Sequence, residues 1–162
     1  MHPAELGELE AFRDLYAAAP EGVGAPRAEE IGGGLCLRLK AAPTSAMFNR
    51  ALGLGLREPA TEESLEQVAA FFGDEIGWCV ALAPQARPSE LPSWLEHRGF
   101  VRGYGWAKFS AAGCEVVVTE TGEALRDKPS SSYRNIIRAG FSEVYVRANY
   151  LSSPEADTSG IA

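Results

Sequence analysis

A few side chains in this sequence have the type and spacing to do chemistry. Glu120 follows the strand-like run Cys114 to Thr119, and open α/β sheets hold their ligands beyond the ends of strands. A carboxylate there could take a proton from a bound ligand, or be a solvated turn residue. Ser132 and Asn135 stand three apart on one face of a helix expected after Pro129. By themselves they read as a helix cap and a surface polar residue. Arg134 and Arg138, four apart, could meet phosphate, but arginines late in a helix also complement its C-terminal dipole. Tyr104, Trp106 and Phe109 could line an acceptor pocket or pack a core. The triple glycine Gly32 to Gly34 opens into the alternating run Leu35, Leu37, Leu39, so it reads as a turn. A phosphate cradle would need it to open into a helix N-terminus.

The elements that must position these residues are organised around Cys114 to Tyr150, which reads strand, loop, short helix, Gly-Phe, strand. The apolar run Val116 to Val118 predicts a strand buried on both faces, as in parallel sheets. Ser130 to Ser132 open the helix, with Ser132 a candidate cap, and Gly140 closes it. The same plan occurs earlier, from Trp78 to Phe109. Placing Phe100 on Phe141, an offset of 41 residues, also superposes Gly99 on Gly140 and Leu95 on Ile136. We read one β-α-β unit used twice.

Before these units, Leu6, Leu9, Phe12 and Tyr16 recur at helical spacing and predict an amphipathic first helix. A short turn of helix is expected at Arg27 to Ile31, then a strand through Leu35 to Leu39. Met47 to Leu56 reads as a strand with Leu52, Leu54 and Leu56 on one face. Gly53 and Gly55 leave the other face bare for close packing or a ligand. Thr61 is the expected cap of the next helix, Ser64 and Gln67 have capping-box spacing, and Leu65, Val68, Ala69 and Phe72 form its buried stripe. Ser110 to Gly113 predicts a hairpin-type link. The tail 152–162 is small, polar and expected to be disordered. The class is therefore α/β: a mixed sheet with flanking helices, one domain over 1–151 with halves 1–109 and 114–151.

Composition narrows the partners. Fifteen Lys and Arg stand against 22 Asp and Glu, a net charge of −7, which argues against nucleic acid because phosphate recognition needs a basic face. No apolar run approaches the ~20 residues of a membrane span. The first residues are acidic where an export signal would be basic. Cys36, Cys79 and Cys114 are odd in number and lie in apolar runs, and His2 and His97 are the sole histidines. Buried thiols in a reducing, cytoplasmic compartment are expected, with no metal. A shortened sheet with an unpaired edge can recruit a second copy, giving a homodimer.

The stretch VVVTETGEALRDKPSSSYRNIIRAGF, with its Ser132-x-x-Asn135 and closing Gly-Phe, resembles the GNAT superfamily of N-acetyltransferases. The likeness is to bacterial members built from two GNAT-like halves and covers nearly all of the chain before the tail. It implies a GNAT-like sheet with flanking helices and acetyl transfer from acetyl-CoA to a small amine. It also implies that Ser132 and Asn135 bind the cofactor, Glu120 is the general base and Tyr133 the candidate acid. Many members place the acidic Tyr at the position of Ile136, one turn after Tyr133. The family's pyrophosphate turn is rich in glycine; its counterpart here, Arg57 to Ser64, has none and carries Glu58, Glu62 and Glu63. Between Phe109 and Cys114 most of a half-domain is missing relative to the family. Two functions follow: an acetyl-CoA-dependent N-acetyltransferase, or a non-catalytic scaffold or interaction module that has lost the cofactor cradle.

Overall fold

A computed structural model describes residues 2–20, 22, 24–111, 118–122 and 131–152. Helix α1 (Pro3–Ala17) is followed by β1 (Arg27–Ile31), β2 (Gly34–Arg38), β3 (Arg50–Leu52), α2 (Glu62–Phe72) and β4 (Cys79–Leu82). Then come α3 (Leu91–His97), β5 (Val101–Arg102), β6 (Trp106–Ala111), β7 (Val118–Gly122), α4 (Ser131–Arg138) and β8 (Phe141–Leu151). The strands form one mixed sheet in the order β1-β2-β3-β4-β8-β6-β7, with β5 also paired to β8. The α/β class and the mixed sheet with flanking helices are thus present.

Arg27 to Ile31 is a strand, where the sequence predicts a turn of helix. The reason is the two-residue turn behind it. Ile31 pairs with Gly34, and Gly32 and Gly33 take φ of +55° and +73°, the left-handed pair that a tight hairpin of this hand requires. The hairpin recruits the polar segment into the sheet edge against its local preference. The strand expected over Met47–Leu56 is only three residues long. Gly53, at φ +71°, turns the chain out of the sheet, and Leu56 N–H closes the turn on the Gly53 carbonyl at 3.2 Å. The bare glycine face serves packing: a Cβ on Gly53 would lie 3.1 Å from Leu9, and one on Gly55 only 2.5 Å from the Arg87 carbonyl.

Strand β7 is the outer strand beyond β6 and pairs with it antiparallel, so it is no doubly covered parallel strand; Cys114 to Val117 lie outside the described residues. The antiparallel pairing of β6 with β7 is what a hairpin-type link would join; of that expected link, Ser110 to Gly113, residues 112 and 113 lie outside the described residues. The expected single strand through Val101–Phe109 is broken into β5 and β6. Asn149 clasps the break, its Nδ2 donating to the Tyr104 carbonyl at 2.6 Å and its carbonyl accepting from Gly103 N–H.

Apolar side chains pack on both faces of the sheet. On one face α2 and α3 cover Cys36, Ala51, Val80 and Tyr150, with Trp78 stacked on Phe72 at 4.3 Å. On the other, α1 covers Leu35, Leu37, Leu52 and Ala81 through Leu9 and Tyr16. Leu6 is left exposed, so the buried stripe of α1 is not the one its leucines suggest. In α2 the stripe is Leu65, Val68, Phe71 and Phe72, and Ala69 faces outward.

Both β-α-β segments join parallel strands across one intervening strand. Strands β4 and β5 lie on either side of β8, and both run antiparallel to it. Strands β7 and β8 lie on either side of β6 in the same relation. Gly99 and Gly140 end α3 and α4 at φ +86° and +88°. The helices differ in burial: Leu91 and Leu95 of α3 are fully buried, whereas α4 buries no side chain.

Candidate functional site

The residues expected to act as a site gather around α4, β7 and β8. Glu120 is the middle residue of β7, paired with Lys108, and does not stand at the strand's end. Ser132 is the second residue of α4, inside the first turn and not its cap. Ser132 and Asn135 are both exposed. Tyr133 rests edge-on against Phe109, with ring centroids 5.2 Å apart, and its hydroxyl donates to Glu143 Oε2 at 2.7 Å. That hydrogen bond raises the phenol pKa, and burial and the Glu143 charge add to it. A phenol so held is a weaker acid than a free one. Trp106 and Phe109 are buried in the packing.

The α2 N-terminus, where a pyrophosphate would have to sit, is closed by its own chain. Thr61 Oγ1 accepts from Ser64 N–H and Ser64 Oγ accepts from Thr61 N–H, both at 3.0 Å. The box is therefore Thr61 with Ser64, and Gln67 is not part of it. The β1–β2 turn leans on it so closely that a Cβ on Gly32 would meet Ser64 Cβ at 2.5 Å, while Glu58 lies against Gly33. The segment after β4 is tied to the loop that enters α2: Arg87 donates its N–H to the Gly55 carbonyl at 2.9 Å and accepts from Ala60 N–H at 2.8 Å. Glu62 is paired with Arg98 at 2.8 Å.

A third group was not anticipated from the sequence. Beneath α1, five charged side chains are buried: Glu5 and Glu8 from the helix, Arg50 from β3, Lys108 from β6 and Arg147 from β8. Arg147 donates to both oxygens of Glu8, at 3.2 Å to Oε1, and to Glu5 Oε1 at 2.9 Å. Lys108 Nζ lies 2.9 Å from Glu8 Oε2 and Arg50 3.6 Å from Glu8 Oε1. The Tyr145 hydroxyl donates to Glu5. The Arg50 guanidinium is held over the rings of Phe12 and Trp106, at 4.3 and 4.7 Å from their centroids.

Burial alone would raise the Glu8 pKa, but the charges of Arg147, Lys108 and Arg50 and the Arg147 hydrogen bond hold it well below the usual carboxylate range. The Tyr145 phenol is pushed up by burial, and by its bond to Glu5 and that residue's charge, against the opposing pull of Arg147. Three cations on two carboxylates form a carboxylate-gripping surface, and the carboxylates now in it belong to α1.

The sequence holds a signal for this cluster. Glu5 and Glu8 fall on the same helical stripe as Leu9, Phe12 and Tyr16, and Lys108 shares the strand face of Trp106. A charged residue at an inward position is either an error of phase or a buried pair. Among the described residues, no group of three His, Cys, Asp or Glu side chains is placed to hold a metal ion. No helix among them is long and apolar enough to cross a membrane. Compared with protein-family models, curated proteins and solved structures, the chain has no match.

Proposed function

We propose that this chain is a non-catalytic GNAT-like scaffold, an interaction module that keeps an acetyltransferase-type sheet without the grip on acetyl-CoA. The closed α2 N-terminus carries this reading. A pyrophosphate cradle needs amide N–H groups aimed at open space under positive potential. Here the Thr61 and Ser64 amides are bonded inside the capping box, the Gly32 turn packs against Ser64, and Glu58, Glu62 and Glu63 make the local charge negative. The reading takes the two β-α-β units as like pieces of one sheet, in whose order β4-β8-β6-β7 each supplies the strand that fills the other's gap. Cys36 and Cys79, buried as free thiols, support residence in the reducing cytoplasm.

A second reading is favoured by the Tyr133–Glu143 pair, a structured phenol on an exposed helix. In it the chain transfers acetyl from acetyl-CoA to a small amine. Ser132 and Asn135 hold the cofactor arm, Glu120 takes the amine proton and Tyr133 protonates the leaving thiolate. Thermal melting with acetyl-CoA separates the two. A ligand at a hundred times its Kd adds about 2.7 kcal/mol to folding stability. The scaffold reading expects no change in Tm at millimolar acetyl-CoA; a rise at micromolar concentration, lost in Asn135→Ala, would overturn it in favour of a chain that holds the cofactor.

A further inference from the structure

We propose that the groove between β1 and the last turns of α2 binds a small-molecule carboxylate, and that Arg38 is the residue that grips it. The inference goes beyond the scaffold reading and holds whether or not acetyl-CoA binds. It starts from the placing of two arginines. Arg27 of β1 and Arg38 of β2 stand directly opposite one another in the hairpin. Both guanidiniums lie over the same ring of α2, that of Phe71, at 5.4 and 5.1 Å from its centroid. Like charges directly opposite across a strand pair are destabilising, so this arrangement gains from an added anion.

The two arginines are not equally paired. Glu29, on the same strand as Arg27, holds it at 3.0 Å. Glu30 also borders the groove, but it is taken by Arg13 and by Arg57, the latter at 3.6 Å. Arg38 has no carboxylate partner among the described residues. Its Nη1 donates to the Phe71 carbonyl at 2.6 Å, and its Nε is buried with no hydrogen-bond partner. A carbonyl in the last turn of a helix brings a partial negative charge, not a counter-ion. A guanidinium carries several N–H donors in a planar fork, so Arg38 keeps donors for two-pronged recognition of an oxyanion.

The space to receive one is present. The groove has a volume of about 540 Å³, and Arg27, Glu29, Arg38, Gln67 and Phe71 are among the residues that line it; small-ligand sites have this size. Charge selects the class of ligand. Arg27 and Arg38 against Glu29 leave one positive charge, which one carboxylate balances. A phosphate monoester dianion would leave surplus negative charge beside Glu29, and such a mismatch costs affinity. The far flank is acidic: Gln67 donates to Glu63 at 3.5 Å, two helical turns before Phe71. An anion is therefore held at the Phe71 end.

The test is titration of the full chain with phenylacetate, and separately with phenyl phosphate, at constant ionic strength. Calorimetry gives the Kd, and the NMR signal of the Arg38 Nε–H reports the site. Phenylacetate should saturate with a Kd of about 1 mM, the strength of a few charge-assisted contacts, and should shift the Arg38 signal. Arg38→Gln should weaken it about ten-fold or more, with the cooperative melt of the parent retained. Arg98→Gln removes an equal charge at the end of α3, where Arg98 pairs with Glu62, and should leave the Kd unchanged. No shift of the Arg38 signal with either probe at tens of millimolar would overturn the proposal. So would tighter binding of phenyl phosphate, or equal weakening in Arg98→Gln, which would assign the effect to net charge.

Discussion

Replacing Glu8 by Gln keeps the shape of the side chain and removes one charge from the cluster beneath α1. Glu8 is 8% exposed and meets three cations: Arg147 through two hydrogen bonds, Lys108 at 2.9 Å and Arg50 at 3.6 Å. At an effective dielectric near 20, each contact of this length is a gross attraction of roughly 4 kcal/mol. Desolvation of the ions offsets much of it. Removing one partner, however, leaves buried cations facing a single carboxylate, and such breaks cost about 3–5 kcal/mol. For a domain of this size that lowers Tm by about 6–20 °C.

Urea unfolding with an unchanged slope is the assay, and Glu10→Gln on the exposed side of the same helix is the control, expected within about 0.5 kcal/mol of the parent. The pH dependence gives a second check. The folded-state pKa of Glu8 lies below its unfolded value, so at acid pH the unfolded chain binds more protons and stability rises with pH. The contribution is complete at neutral pH and is lost as pH falls below about 4.5 toward the folded value. Glu8→Gln should flatten that acid limb. A variant within about 0.5 kcal/mol of the parent, with the same acid limb, would refute the reasoning and place α1 off the sheet.

Two further outcomes follow from packing. Burial, with the Glu29 charge second, pushes the Cys36 thiol up to about 12, so alkylation at pH 8 followed by peptide mass spectrometry should leave Cys36 unmodified in the folded chain and modify it in denaturant; modification at equal rates in both would show the thiol to be accessible. Leu95→Ala should cost about 2–5 kcal/mol, whereas Ile136→Ala, at the matching place in the exposed helix α4, should stay below about 1 kcal/mol, and equal losses in denaturant melts would contradict the unequal burial of the two helices.

Leu95 and Ile136, which the 41-residue offset superposes in sequence, mark how far local reading reaches. Gly99 and Gly140 were legible as helix stops because a left-handed residue after a helix favours glycine wherever the helix lies. Thr61 was legible as a cap for the same kind of reason: an oxygen one turn from free amides satisfies them locally. Which helix is buried was not legible, since α3 and α4 have comparable patterns and only the sheet's order decides what covers each. The candidate site fared likewise. Ser132, Tyr133 and Asn135 share a short helix as expected, but Glu120 came to mid-strand because β6 extends alongside it.

The sequence by itself determined the alternation of strands and helices, their caps and turns, and the class of fold, because each depends on a few neighbouring residues. Tertiary structure alone decided that Arg27 to Ile31 is a strand, since the Gly32–Gly33 hairpin couples it to a partner that overrides its own preference. It also decided the ion cluster. Glu5 and Glu8 are separated from Lys108 and Arg147 by about a hundred residues or more of chain, and charges that far apart in sequence meet only when the sheet brings β3, β6 and β8 together under one helix.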